Sequence, residues 1–317
     1  MGVGFPSAQL KGDERKFLLN LRNTAQQRNM SLMGRVNEYL KPVVLDYERD
    51  VVVLTPSGNP TERHLCLAYA RKAREIFGEP ETLADFWSKK LGIEARSLGL
   101  PESRDLLNTI RAKTMKRGGV GYVQPDRGSF PLMADTNRFI LAAGAIPVHT
   151  WLDGTSDGER AIEELVDVAM NTGAAAINVI PDRNYTPGAK DEKIRNLYEV
   201  VELAERRDLI VVEGTEMNSP GQKFVDDFDT DELKPLAPVF LKGAYIVYGH
   251  SVLQQQCGLG YTSEWAKRNF GSVAEKNEFY RRVGEMLNPE YENEVAGLSE
   301  EVDPKEVLEK ARRSGAR

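Results

Sequence analysis

Three histidines stand in a chain of 317 residues, and each falls where an imidazole could do chemistry. His149 closes the apolar run Ala145-Ile146-Pro147-Val148, which reads as a buried strand. The carboxyl end of a strand is where α/β folds collect ligands and catalytic groups. An imidazole there can ligate a metal or move a proton, or it can be a hydrogen-bonded rim of the core. His64 follows Thr61-Glu62-Arg63, a helix start with a good N-cap. A phosphate at that start would meet free backbone N–H groups and Arg63; a solvated helix start is the bland reading. His250 follows the apolar stretch Ala244 to Tyr248, either as a fourth pocket residue or in a structural turn. Glu216 and Asn218, in Glu213-Gly214-Thr215-Glu216-Met217-Asn218-Ser219-Pro220-Gly221, offer oxygen ligands suited to hard or borderline metals. The same segment also reads as an Asn-Ser-Pro-Gly turn with a solvated acid. Asp153, Asn178, Asp182 and Arg183 follow or end strands and join the pocket candidates at lower weight.

The elements that must position these residues divide the chain. Phe17, Leu18, Leu21 and Ala25, then Leu32, Val36 and Leu40, recur at helical spacing over 13–40. Further helices are expected from Thr61 to about Phe77, near 82–91 and over 102–116, so residues 1–116 form a mainly helical segment. Val51 to Leu54 is a short candidate strand. From Gly118 the rhythm becomes strand, helix, strand. Strands are expected at 120–124, 145–149, 174–180, 209–214 and 243–248, with helices at 132–143, 157–172 and 189–206 between them. That alternation predicts a parallel sheet with helical crossovers over 117–289. Residues 219–242 read as loop, and 290–317 as a charged tail with one helix started by Asp303-Pro304. Gln124, His149, Asp182, Glu216 and His250 would then cluster at the carboxyl ends of the strands.

Composition sets the outer bounds. Hydrophobic residues make up 41% and charged residues 28%, ordinary for a globular protein. The net charge of −6 gives no general basic footprint for nucleic acid, although a local basic groove stays open. Cys66 and Cys257 have no metal-type spacing and imply no disulfide framework. No apolar run approaches the ~20 residues that span a bilayer, and no signal-peptide core opens the chain. A cytoplasmic protein is expected.

The order of these pieces resembles the PHP (polymerase and histidinol phosphatase) family of metal-dependent phosphoesterases, over residues 14–225. The helix from Arg22 to Arg28, with Asn37 and Leu40 after it, is similar to a helix of that family. Glu62-Arg63-His64-Leu65 resembles its arginine–histidine helix start, and Gly121-Tyr122-Val123-Gln124-Pro125 its glycine–tyrosine–valine–proline stretch. Ala143 to His149 resembles its strand ending in histidine–proline, and Glu213 to Gly221 its glycine–serine–aspartate–x–histidine–x–proline segment. The departures are definite. The family's first paired-histidine metal motif has no counterpart, Thr150 replaces the proline after the histidine, and Glu216 and Asn218 stand where aspartate and histidine are usual.

The resemblance implies an incomplete or distorted PHP-like (β/α) barrel behind an N-terminal helical segment. The chain would be a divergent or N-terminally incomplete relative, with fewer strands than a closed barrel and an exposed sheet edge inviting a homo-oligomer. The implied activity is hydrolysis of a phosphoester by metal-activated water, on a phosphorylated small molecule or nucleotide. The implied ligands to manganese, zinc or magnesium are His64, His149, Glu216 and Asn218, with Arg63 and His250 in catalytic roles. The alternative is a non-catalytic protein that keeps the fold for ligand binding or assembly. An unrelated barrel isomerase or aldolase would need a lysine or an acid pair in the pocket, and no lysine ends an expected strand.

Overall fold

The computed structural model describes residues 1–124, 130–184, 190–215 and 224–316. They form two compact units, Arg15–Pro131 and a second made of Met1–Glu14 with Leu132–Arg317.

The first unit is helical. Its main elements are α1 (Gly12–Leu40), α2 (Glu62–Phe77), α3 (Pro80–Leu91) and α4 (Arg104–Ile110). Met33, Val36 and Leu40 of α1, spaced by three and four, are its buried positions. They meet Leu65, Tyr69 and Trp87 in one core. The Tyr69 hydroxyl lies 2.8 Å from Asn37 Oδ1 and 3.1 Å from the Met33 carbonyl, with its one proton for these two acceptors, which fixes α2 on α1. The expected strand at Val51 to Leu54 does not form. Asp46 caps a π turn over Tyr47–Val51 by accepting the Arg49 N–H, and a 3₁₀ turn follows at Val52–Leu54. The expected strand at 120–124 is also absent over its described residues. Gly121 N–H donates to Thr114 O and Tyr122 N–H to Gly119 O, so the chain turns there instead of extending.

The second unit carries the sheet. Its strands are β1 (Gly2–Val3), β2 (Ile146–Thr150), β3 (Ala176–Val179) and β4 (Ile210–Glu213), in that spatial order. β1 runs antiparallel to β2, and β2, β3 and β4 are mutually parallel. His149 lies opposite Ile177, which lies opposite Val211. The helix α5 (Met133–Ala142) precedes β2, and the crossovers are α6 (Asp157–Arg160) with α7 (Ile162–Asn171), and α8 (Pro181–Asn184) with α9 (Lys190–Arg206). Alternation then sorts the side chains. Ile146, Val148, Ala176 and Ile210 face one core, with Ile246, Val283 and Trp265. Trp151, Ile177, Val179 and Val211 face the other, with Val166, Leu197 and Val201.

The expected barrel is overturned. Helices account for 62% of the described residues, and the four described strands make one open mixed sheet. The decisive segment is 243–248, expected as a strand. It lies inside α10 (Ala237–Cys257), followed by α11 (Glu264–Asn269), α12 (Val273–Met286) and α13 (Pro304–Gly315). A short apolar run does not distinguish a strand from a buried helix. Here glycine decides the packing. A methyl at Gly243 would overlap the Val211 carbonyl oxygen, so α10 lies directly on the backbone of β4. Gly249 makes the same close approach to α12, at the Tyr280 carbonyl. No helix among the described residues is long and apolar enough to cross a membrane.

Candidate site at the carboxyl edge of the parallel sheet

Past the end of β2, Asp153 is buried at 4% exposure, yet it carries a charge. Arg183 Nε donates to its Oδ2 at 3.1 Å, and Lys193 Nζ lies 3.2 Å from the same oxygen. Thr155 adds its hydroxyl at 2.6 Å and its N–H at 3.2 Å on Oδ1. Burial alone would raise this carboxyl, but the hydrogen bonds from Thr155 and Lys193 hold it down to about 2. The backbone is fixed as firmly. Asn196 of α9 donates to Asp153 O at 2.9 Å, and Gly154, at φ +73°, leaves room for that amide. Past the end of β3, Asn184 is fully buried and donates to Leu152 O and Ile180 O, both at 2.9 Å. Three polar groups from two crossovers therefore converge on one carboxylate.

At the end of β4 sits an acid pair. Glu213, opposite Val179, is hydrogen-bonded to Asp226, which is 5% exposed. Burial, that hydrogen bond and the charge of Asp226 push the Glu213 carboxyl up to about 7. Two strand spacings, roughly 10 Å, separate the ends of β2 and β4. The edge thus presents a cation-rich cluster on one side and a proton-sharing pair on the other.

The residues singled out from the sequence divide. His149 is the next-to-last residue of β2, which Thr150 ends, and is half-buried; burial first, then the Met1 amino charge, lowers its basicity, while Glu159 opposes them. Its side chain alternates to the same face as Val211 and Glu213. Glu216 and Asn218 lie outside the described residues, as does Pro125. His250 ends no strand. It is fully buried in α10, with Nε2 3.0 Å from Gly4 O and Nδ1 accepting the Tyr261 N–H at 2.9 Å. His64 Nδ1 accepts the Thr61 N–H at 3.1 Å and lies 3.0 Å from the Thr61 hydroxyl, closing the start of α2. Arg63 Nη1 donates to Asn108 Oδ1 at 3.3 Å. Gln124 follows a turn in the helical unit and belongs to no strand.

Of the four expected metal ligands, His64 and His149 lie among the described residues. His250 spends both ring nitrogens on the backbone and His64 spends one on its cap. Among the described residues no three histidine, cysteine, aspartate or glutamate side chains gather as a metal would require. Glu213 and Asp226 were not singled out from the sequence. The only signal was an acid ending an apolar strand, and Asp226 lies thirteen residues further along the chain. Compared with known proteins, the chain matches no family model, no curated relative and no solved structure.

Proposed function

We propose that the carboxyl edge of β2, β3 and β4 binds a small phosphorylated compound and hydrolyses its phosphoester by acid–base chemistry. The observation that carries this reading is Glu213, a strand-end carboxyl that titrates near neutral pH beside a buried aspartate. A group with that affinity for protons is half ionised at neutral pH, the best compromise for proton transfer. The ionised form takes a proton from an attacking water as the new phosphorus–oxygen bond forms. The carboxyl so formed gives that proton to the leaving oxygen as the ester bond breaks, which restores the carboxylate. Lys193, beside the Asp153 carboxylate, is the cation offered to the phosphate.

The test is release of p-nitrophenol from p-nitrophenyl phosphate, with inorganic phosphate binding followed by calorimetry. Glu213→Gln should cut turnover at least 100-fold and leave phosphate affinity within about twofold. Lys193→Ala should weaken phosphate about tenfold. A wild-type protein that neither binds phosphate nor turns over ends the proposal. A second reading, a non-catalytic binding protein, is favoured by the structural employment of His250; it expects phosphate binding without turnover.

A further inference from the structure

One amine of the second unit takes no part in the chemistry of the sheet edge. Lys276 stands near the N-terminus of α12 and is half-buried. Its Nζ lies 4.1 Å from the centre of the Tyr261 ring, and Tyr261 is 1% exposed. That ring is held at both ends. The Tyr261 hydroxyl donates to Asn277 Oδ1 at 2.7 Å, and the Tyr261 N–H donates to His250 Nδ1 at 2.9 Å. Asn277, the residue after Lys276, is itself tied down, because its Nδ2 donates to Asp208 O at 2.8 Å. The amine therefore rests on a fixed aromatic floor.

The neighbouring acids are turned elsewhere. Glu275 Oε2 accepts the Gly271 N–H at 3.0 Å, Glu278 is held by Arg281 Nε at 2.8 Å, and Glu264 is paired with Lys267 Nζ at 2.7 Å. Among the described residues the charged group that acts on Lys276 is another cation, Lys267 of α11. Partial burial, the Lys267 charge and the positive end of the α12 dipole all disfavour an ammonium here. The face of Tyr261 favours it. Burial first, then Lys267, prevails, and the amine is less basic than an ordinary lysine. A desolvated lysine beside a second cation is an activated nucleophile.

We propose that Lys276 is a modification site, acylated on Nζ by a small acyl phosphate. The neutral amine attacks the acyl carbonyl, and a carbon–nitrogen bond forms. The bond from that carbon to the phosphate oxygen breaks, inorganic phosphate leaves with the electron pair, and the proton lost from nitrogen passes to water. The product is a neutral amide. It removes a charge that has no carboxylate partner, ends the repulsion with Lys267, and stays over the Tyr261 ring. The donor must be small because the amine is half-buried. This inference does not depend on the reading given to Glu213 and Asp226.

The experiment is incubation of the full chain with acetyl phosphate near neutral pH, with acetylation of each lysine followed over time by peptide mass spectrometry. Lys113, which is exposed, is the internal reference. Lys276 should be acetylated at least about threefold faster than Lys113; the gain from a larger neutral fraction is partly offset because a less basic nucleophile is a weaker one. In concentrated urea the two rates should become equal, which identifies the fold as the source of the preference. Lys267→Gln should slow Lys276 about twofold and leave Lys113 unchanged, since it removes the repelling charge and frees Glu264. Glu213→Gln should acetylate as the wild type does, which separates this site from the sheet edge. The proposal is overturned if Lys276 reacts no faster than Lys113 in the native chain, or if its preference persists in urea.

Discussion

Glu213, the last residue of β4, is hydrogen-bonded to Asp226, so two carboxyls share a proton beside the carboxyl edge of a parallel sheet. The Glu213 carboxyl is pushed up from its ordinary value to about 7, so the native state holds a proton that the unfolded chain has lost. The native state therefore binds more protons between roughly pH 4.5 and 7, and stability falls as pH rises through that window. This contribution is complete below the unfolded value and gone above about 7. Because the group is half-exposed, about 1 kcal/mol is expected after allowing for solvent screening. Urea melts of wild type and Glu213→Gln should differ in this slope, with the variant flatter; parallel pH profiles would show that the proton is not held there.

His250 predicts the opposite slope. Burial lowers its basicity to about 4, so it stays neutral in the fold while the unfolded chain protonates near its ordinary value. Stability from this residue is present above about pH 6.5 and is lost as pH falls through about 4. His250→Ala also removes the contacts to Gly4 O and the Tyr261 N–H, at a cost of about 3 kcal/mol. The variant should be less stable at pH 8 and should lose the acid-side decline between pH 6.5 and 4. A variant with wild-type stability would contradict the structural role.

Asp153→Asn should destabilise by about 3 kcal/mol, because Arg183 and Lys193 would face a neutral amide in a buried place. Guanidinium unfolding at pH 7 measures this. A change below about 0.5 kcal/mol, the size typical of a surface substitution, would mean that the pairs are solvent-screened.

Gly243→Ala is the test of helix packing on the sheet. In an exposed helix this exchange gains about 1 kcal/mol. Here the added methyl would overlap Val211 O, so α10 must lift from β4 at a cost of about 3 kcal/mol. A stabilised variant would place α10 elsewhere.

The parts of this fold that were legible are those where one signal dominates. Ala145 to His149, the run around Ala176–Val179, and Leu209 to Val212 are apolar, short and bounded by glycine or charge, and β2, β3 and β4 form there. Thr61 and Asp303 start their helices, as their N-cap chemistry requires. Ala244 to Tyr248 was misleading because its residues favour strands locally, while its glycines permit a helix to press on β4 and α12; that contest is settled by tertiary packing. The Asp153 cluster was half visible. Asp153 and Arg183 stood out as strand followers, but Lys193 reaches them only through the placement of α9. Glu213 and Asp226 could not be paired, since no local pattern links residues thirteen positions apart.

The most direct measurement of the central claim is the pH dependence of p-nitrophenyl phosphate hydrolysis by wild type and Glu213→Gln. The wild-type rate should rise through about pH 7 as Glu213 ionises, and the variant should be at least 100-fold slower and lack this inflection. Equal rates and equal profiles for the two proteins, or no turnover by the wild type, would contradict it.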